Sequence, residues 1–239
     1  MNLVLDLGNS RGKAALFRAN DLNKKFTFQT VEELKKELAN EEIENAIVGN
    51  VSQSNEVFFS EINVKGKKLA LSYQLPLPIQ INYATPQTLG VDRIAAACGA
   101  QVLFPTRNCL IIDAGTCINY EFLSSEGIYR GGAISPGVEM RFKSMHTFTS
   151  RLPLASATAK AKLTGDSTES CLQSGVMNGI RFEIEGVILQ YGKKYPNLTV
   201  LLCGGDGALF ETNLKPTIFA APELVLMGLN SILRYNAAL

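Results

Sequence analysis

The sequence has little charge of either sign and almost no histidine. Its 239 residues carry a net charge of +1 at pH 7, and only 19% of them are charged. This balance gives no electrostatic case for binding nucleic acid or an anionic membrane. The single histidine, His146, lies in a polar stretch with no nucleophile elbow around it, so a surface role is expected for it and a histidine-dependent hydrolase is disfavoured.

Cysteine is also used sparingly, and in no metal-binding or disulfide pattern. The five cysteines are odd in number, contain no C-x-x-C pair and mostly lie in apolar stretches. Cysteines in such surroundings are usually buried free thiols. The sequence therefore predicts neither a disulfide framework nor a zinc site, and it favours a reducing cytoplasm as the location.

Long apolar runs are absent as well. No uninterrupted run approaches the roughly 20 residues that a membrane-spanning helix needs, and no leader-like segment precedes the first strand. We therefore expect no membrane partner. With 46% hydrophobic residues the composition is that of an ordinary globular protein, long enough for two domains of about 100–120 residues each.

One short pattern is present twice. Residues 3–17 read LVLDLGNSRGKAALF and residues 110–123 read LIIDAGTCINYEFL, so Asp6 and Asp113 occupy equivalent positions 107 residues apart. In each copy an apolar strand ends in Asp, a turn with glycine follows, and a second strand begins. Such a turn brings main-chain N–H groups and a carboxylate close to a phosphate. Two copies facing one another can hold a nucleoside triphosphate and its metal, with Asp6 binding Mg²⁺ through water.

Hydrophobic periodicity predicts an α/β protein of two similar halves. The first half reads as three strands, a helix opened by a capping box of Thr30 and Glu33, a strand and a short helix. Pro105–Asn108 is the predicted junction, so residues 1–107 form the N-terminal lobe and residues 108–239 the C-terminal lobe. The predicted strands cover residues 2–6, 13–18, 24–30, 45–51, 67–72, 109–113, 117–123, 128–134 and 198–203. The predicted helices cover residues 31–40, 55–62, 90–104, 138–152 and 167–195, and one from Pro222 onwards.

Three further glycine-containing segments could line a ligand. They are Gly204-Gly205-Asp206-Gly207 after an apolar strand, the loop from Gly131 to Gly137, and Gly90-Val91-Asp92-Arg93 at a helix start. Each alone is equally consistent with an ordinary turn or helix N-terminus.

Six segments together identify a family. In order along the chain they are DLGNSRGK, YATPQTLGVDR, IIDAGT, GGAISPG, TGDSTESCLQSG and GGDGALF. The set covers nearly the whole chain and resembles the type III pantothenate kinases, within the superfamily of acetate and sugar kinases, Hsp70 and actin. The resemblance implies two similar actin- or ribonuclease-H-like lobes, each a mixed sheet flanked by helices. It implies ATP-dependent phosphorylation of pantothenate to 4′-phosphopantothenate, the first step of coenzyme A synthesis, by a cytoplasmic homodimer using ATP, Mg²⁺ and a monovalent cation, K⁺ or NH₄⁺.

The same resemblance implies roles for individual residues. The ATP-binding residues are Asp6, Leu7, Gly8, Asn9, Ser10, Arg11, Gly12, Lys13 and Thr116. Asp113 corresponds to the ligand of the monovalent cation. The pantothenate-binding residues are Tyr83, Gly90, Val91, Asp92, Arg93 and Thr168, with Asp92 as the catalytic proton acceptor. Two positions depart from the family pattern, because Ser10 and Cys203 stand where the family commonly has threonine.

Three other functions fit parts of this pattern. A sugar or other small-alcohol kinase would keep Asp6 and Asp113 but accept a different alcohol. A non-catalytic regulatory relative would not need intact carboxylates at Asp6, Asp92 and Asp113. An actin-like assembly protein would need more chain than is present. The predicted homodimer has support from the residues too, since the helix over residues 90–104 is too apolar to face water on one side.

Overall fold

The chain forms two compact units. The computed structural model describes residues 1–7, 12–49, 59, 61–211 and 218–239. The first unit comprises Met1–Pro105, Gly127–Tyr129 and Glu223–Leu239, and the second comprises Thr106–Glu126 and Arg130–Pro222. The first unit's opening segment therefore ends beside the predicted junction, whereas the last seventeen residues, predicted for the C-terminal lobe, belong to the first unit.

A five-stranded mixed sheet forms the centre of the first unit. Its order is β3-β2-β1-β4-β5, with β1 antiparallel to β2 and parallel to β4. These strands are β1 (Asn2–Leu7), β2 (Gly12–Arg18), β3 (Asp21–Phe28), β4 (Asn45–Gly49) and β5 (Lys68–Ala70). A two-residue strand, β6 (Gln80–Ile81), pairs with residues 128 and 129 of the same unit.

The second unit repeats this arrangement. Its strands are β7 (Cys109–Ala114), β8 (Cys117–Leu123), β9 (Ile128–Pro136), β10 (Thr199–Cys203) and β11 (Ile218–Ala220). They follow the order β9-β8-β7-β10-β11, with β7 antiparallel to β8 and parallel to β10. In both units the first strand lies at the centre between the second and fourth. The prediction of a duplicated mixed α/β fold is therefore confirmed.

The helices cover the faces of the two sheets. They are α1 (Val31–Leu38), α2 (Val91–Leu103), α3 (Val138–Thr147), α4 (Thr168–Gln173), α5 (Gly179–Lys194), α6 (Ala208–Glu211) and α7 (Leu224–Ala237), and a 3₁₀ turn spans Pro86–Thr88. Because a π-helical turn at Ser174–Asn178 joins α4 to α5, the predicted long helix is continuous but not uniform. The predicted helix 55–62 falls largely outside the described residues. No described helix is long and apolar enough to cross a bilayer.

The apolar helix α2 is buried inside the first unit against α7. Its residues 93–100 are all buried. An ideal Cβ at Gly99 would lie 2.2 Å from the Leu224 carbonyl oxygen, and one at Gly228 would lie 1.7 Å from that of Ala95. Only glycine permits so close an approach of two helices. The argument that α2 needs a second subunit to cover it was therefore wrong, because α7 covers it.

Candidate active site

Asp6 lies at the carboxyl end of β1 in a crowded electrostatic environment. Its Cα is paired with that of Lys13 across the antiparallel strands and with that of Gly49 on the parallel side. Burial raises the pKa of the Asp6 carboxyl, Lys13 opposes this shift, and the negative charge of Asp92 adds to it. Asp6 and Asp92 are therefore electrostatically coupled within the first unit. Leu7, Gly12 and Lys13 flank the turn, and Gly8–Arg11 lie outside the described residues.

Asp92 lies in the first turn of α2, directly over the helix N-terminus. Gly90 is the N-cap and forms no side-chain cap. An ideal Cβ at Gly90 would lie 2.5 Å from Asp92 Oδ1, so the missing side chain provides the space that the carboxylate occupies. Asp92 is exposed, whereas Arg93 beside it is only 8% exposed. The site thus presents an accessible carboxylate next to a shielded cation.

Two tyrosines fix the position of Arg93. Its Cζ atom lies 5.8 Å from the ring centroid of Tyr83, and that ring lies 6.1 Å from the ring of the fully buried Tyr129. A guanidinium held against an aromatic face keeps its charge and its planar set of donors. The structure therefore brings together Tyr83, Gly90, Val91, Asp92 and Arg93, all in the first unit.

The turn at Asp113–Thr116 in the second unit is enclosed by main chain. Gly204 has φ 88°, and an ideal Cβ there would lie 2.4 Å from Asp113 Oδ1 and 2.2 Å from the Ala114 carbonyl oxygen. The Asp206 N–H donates to that same carbonyl at 2.9 Å. On the other side the Gly137 N–H donates to the Thr116 carbonyl at 3.1 Å. Glycines on both sides leave a cradle that any Cβ would fill.

The chemistry of this cradle suits a phosphate and a cation. Thr116 is exposed and carries a hydroxyl, and Asp113 is half-buried. Burial, reinforced by the charge of Glu139, raises the pKa of Asp206. Among the described residues no group of three or more His, Cys, Asp or Glu side chains is placed to hold a metal ion. A cation at this turn would therefore complete its coordination with main-chain, water and nucleotide oxygens.

Sequence reasoning left two nearby acids out of the site. Asp206 had a signal, since it follows an apolar strand in a Gly-Gly-Asp-Gly turn. Glu139 had none, because an acid in the first turn of a helix is common for electrostatic reasons alone. Both lie in the second unit, where the charge of Glu139 acts on Asp206.

Thr168 is the one predicted substrate residue outside the first unit. It begins α4 and is exposed, after an N-cap at Ser167 whose side chain accepts from the Ser170 N–H. Thr168 therefore belongs to the second unit, whereas the segment from Tyr83 to Arg93 belongs to the first.

Comparison with known proteins identifies what this site is similar to. The family model of type III pantothenate kinases matches residues 2–190. A type III pantothenate kinase of Cytophaga hutchinsonii is 44% identical over 236 residues, which is 99% of this chain and 100% of that one.

Solved structures share the fold at low sequence identity. One is a Campylobacter jejuni protein assigned to the Baf family of transcriptional activators, with TM-score 0.66, 23% identity and coverage of 99% and 100% of the two chains. Another is a Sinorhizobium meliloti protein assigned as a 2-dehydro-3-deoxygalactonokinase, with TM-score 0.62, 14% identity and full coverage of both chains. At these identities the likeness establishes the fold alone.

Proposed function

We propose a catalytic arrangement that starts from one premise: the chain belongs to the type III pantothenate kinase family. Its reaction is the transfer of the γ-phosphoryl group of ATP to the hydroxyl of pantothenate, giving 4′-phosphopantothenate for coenzyme A biosynthesis. The observation that carries the assignment of roles is the exposed Asp92 carboxylate beside Arg93, whose shielded guanidinium lies against Tyr83.

Asp92 is the proton acceptor in this proposal. Its carboxylate is exposed in the first turn of α2 and occupies the space left by the missing side chain of Gly90. As the pantothenate hydroxyl attacks phosphorus, the Asp92 carboxylate orients that hydroxyl and accepts its proton. Such a positioned base contributes about 10²–10⁴-fold in rate. Most of the remaining work in phosphoryl transfer is positioning and charge neutralisation.

Arg93 binds the carboxylate of pantothenate. Its guanidinium is largely shielded from water and is oriented by Tyr83, so its donors form a preorganised fork for a planar anion. Binding the far end of the substrate in this way directs the hydroxyl towards the neighbouring Asp92. Gly90, Val91 and Thr168 are the other proposed substrate contacts.

The two turns divide the work of holding ATP. The residues proposed to line its phosphates are Asp6, Leu7, Gly8, Asn9, Ser10, Arg11, Gly12, Lys13 and Thr116. Asp6 would hold Mg²⁺ through water, and Asp113 would hold a monovalent cation, K⁺ or NH₄⁺. These ions, when bound, supply the positive charge that neutralises the transferring phosphoryl group. The repulsion between Asp6 and Asp92 supports a cation near Asp6, because a positive charge there would relieve it.

A homodimer is supported by one face of α5. Gly179, Phe182, Gly186 and Leu189 share that face, and Phe182 and Leu189 are 51% and 55% exposed. Within the described part of the chain, an ideal Cβ at either glycine would have no heavy atom within 4 Å. If two copies of α5 pack antiparallel, each Phe182 meets a Gly186 and each Leu189 meets a Gly179. The face is thus self-complementary in size, as a two-fold interface requires.

The dimer proposal has its own test. At micromolar concentration we expect sedimentation velocity to show a dimer for the wild type and for Leu22→Lys, a charge placed on an exposed residue of β3. Phe182→Lys should shift the protein to monomer, because it puts two charges into the proposed interface. Dimers for all three proteins would show that this face is not the interface.

The kinase proposal is tested by a coupled ATPase assay with purified protein. ADP formation should require pantothenate, should not be replaced by a panel of sugars and other small alcohols, and should be higher in potassium or ammonium than in sodium. ADP formation with a different alcohol would favour the related small-alcohol kinases. No ADP formation with any acceptor would favour a regulatory relative. A cytoplasmic location is also proposed, supported by the free state of all five cysteines.

A further inference from the structure

Glu183 is a half-buried acid on α5 whose two carboxylate oxygens bind groups from two other elements. Oε1 accepts from the Tyr120 hydroxyl of β8 at 2.7 Å, and Oε2 accepts from an Arg141 amino group of α3 at 2.5 Å. The Glu183 and Arg141 side chains are 29% and 22% exposed, so water screens this pair less than a surface pair. Three elements of the second unit therefore meet at one carboxylate.

Arg141 extends this contact to the residues that cover the second turn. Its Nε donates to the Pro136 carbonyl at 2.8 Å, and Nη2 donates to the Ser135 hydroxyl at 2.7 Å. The next residue, Gly137, donates its N–H to the Thr116 carbonyl. An ideal Cβ at Gly137 would lie 2.1 Å from the Gly115 carbonyl oxygen. The guanidinium thus fixes the segment that forms one wall of the turn.

Tyr120 connects the same carboxylate to the strand that leaves the turn. β8 begins at Cys117, and Tyr120 is 1% exposed on it. An ideal Cβ at Gly132 would lie 1.5 Å from the Tyr120 carbonyl oxygen, so β8 and β9 are in close contact there. Glu183 therefore contacts the strand that leaves the turn through Tyr120, and it is connected to the segment that covers the turn through Arg141.

The ionised form of Glu183 is the one that this network stabilises. Burial alone would raise the pKa of Glu183, but hydrogen bonds from Arg141, Ser135 and Tyr120 outweigh it and lower the pKa. Burial and the same carboxylate raise the pKa of Tyr120, so its hydroxyl remains a donor. At neutral pH the acceptor is charged and both donors are protonated.

We propose that Arg141 and Glu183 are positioning residues that set the distance between the turn at Asp113–Thr116 and its cover at Gly137. Neither residue is proposed to touch ATP. The ligands of this turn, ATP phosphate and a monovalent cation, rest on the proposed function, whereas the mechanical link from Glu183 to the turn rests on the hydrogen bonds alone. If this link were lost, the fold should remain intact, but the distance between the turn at Asp113–Thr116 and Gly137 should vary more.

Three variants of the full-length protein test this proposal. Glu183→Gln removes the charge that both donors bind. Arg141→Lys can keep an ion pair with Glu183 but loses the planar fork that reaches Ser135 and Pro136. Glu185→Gln is the matched control, since Glu185 lies two residues along the same helix and is exposed.

The first measurement is amide hydrogen exchange, which needs no activity. Peptides covering residues 113–117 and 131–137 should exchange faster in Glu183→Gln and Arg141→Lys than in wild type or Glu185→Gln. A peptide covering β10 should exchange at the wild-type rate in all four proteins. Unchanged exchange at the turn in both variants would overturn the proposal, even if the wild type proved to phosphorylate a different alcohol.

The second measurement is steady-state kinetics. In both variants the KM for ATP and the half-saturating potassium concentration should rise about 10-fold or more, as for residues that orient a cation ligand. The KM for pantothenate should stay within about two-fold, because the hydrogen bonds described for Arg141 and Glu183 go to Tyr120, Ser135 and Pro136 and to none of residues 83–93. A lower Tm with unchanged KM for ATP would make the pair merely structural and would overturn the proposal. Absence of any activity in the wild type would instead contradict the proposed function.

Discussion

Asp6 and Asp113 end equivalent strands in the two units, yet their surroundings differ in charge. Asp6 is opposite Lys13, and the charge of Asp92 also acts on it, so two other ionisable groups influence this carboxyl. Asp113 is opposite the neutral Asn119, and its neighbour on the parallel side is Cys203. The strand partners of the first acid thus include a charged side chain, whereas both strand partners of the second are neutral.

The turns that follow the two acids also differ, in their length and in what encloses them. Four residues separate the last paired residues Leu7 and Gly12 in the first unit, and three separate Ala114 and Ile118 in the second. The second turn is held between Gly137 and Gly204. The two units therefore share a strand order but differ at the acid. The first unit places charged side chains near Asp6, and the second encloses the turn after Asp113 with main chain. Substitutions at matched positions should separate these two roles.

The largest effect is expected at the charged site, from Asp92→Asn. The substitution keeps the shape of the side chain and removes the proton acceptor, so kcat should fall about 10²-fold or more while the KM for ATP changes only a few-fold. Steady-state kinetics with both substrates measure this, with Asp21→Asn as an exposed control in the same unit. A near-wild-type kcat in the folded variant would reduce Asp92 to a residue that stabilises a helix N-terminus.

Asp6→Asn and Asp113→Asn, measured in parallel, test whether the two acids hold different ions. We expect Asp113→Asn to raise the half-saturating potassium concentration about 10–100-fold, and Asp6→Asn to raise the Mg²⁺ requirement instead, since each removes the carboxylate that orients one ion. Cation titrations of the initial rate would measure both. If both variants changed the requirement for the same ion to the same extent, the proposed division of roles would be wrong.

A smaller effect is expected from Arg93→Ala. Loss of a charged donor fork should raise the KM for pantothenate about 10-fold or more, with a lesser change in kcat. The exposed Arg18→Ala serves as control, and Arg93→Lys shows how much of the effect depends on the planar fork. Equal KM values for pantothenate in all of these proteins would mean that the substrate carboxylate binds elsewhere.

The smallest effect concerns stability, and it too separates the two acids. Because burial raises the pKa of Asp6 in the folded protein above the ordinary value of 3.8, ionisation destabilises the folded protein as pH rises above that value. Asp6→Asn should therefore raise Tm by about 2–4 °C at pH 7 without Mg²⁺, and by less near pH 4. Thermal unfolding of Asp6→Asn and Asp113→Asn at both pH values measures this. A lower Tm for Asp6→Asn at pH 7 would show that Lys13 outweighs burial and Asp92.

Local patterns predicted most of the fold, and long-range contacts account for what they missed. The strand-Asp-turn-strand repeat identified both sheets, and Thr30 caps α1 as expected. Even there Glu33 binds the N–H of Gln29 and not that of Thr30, since cap geometry is decided by the preceding turn. The π-helical turn at Ser174–Asn178 has no local signal, because it is set by packing around the helix.

The candidate site shows the same limit. Asp92 and Asp113 were predicted because they lie in segments that are recognisable by their own residues. Glu183 and Arg141 were not, since each occurs among ordinary helix residues and gains its role only from contacts 42 positions apart in sequence. Residues that act through other residues leave little trace in a local pattern.

The packing of α7 against α2 also determines the order in which the two units can be completed during synthesis. The N-terminal unit needs Leu224–Ala237 to cover Val91–Leu103, and those covering residues are synthesised after the second unit. At roughly 5–20 residues per second of synthesis, the nascent first unit waits several seconds with the apolar helix α2 uncovered. The second unit is meanwhile completed without interruption. The first unit can therefore be completed only after the second unit has been synthesised.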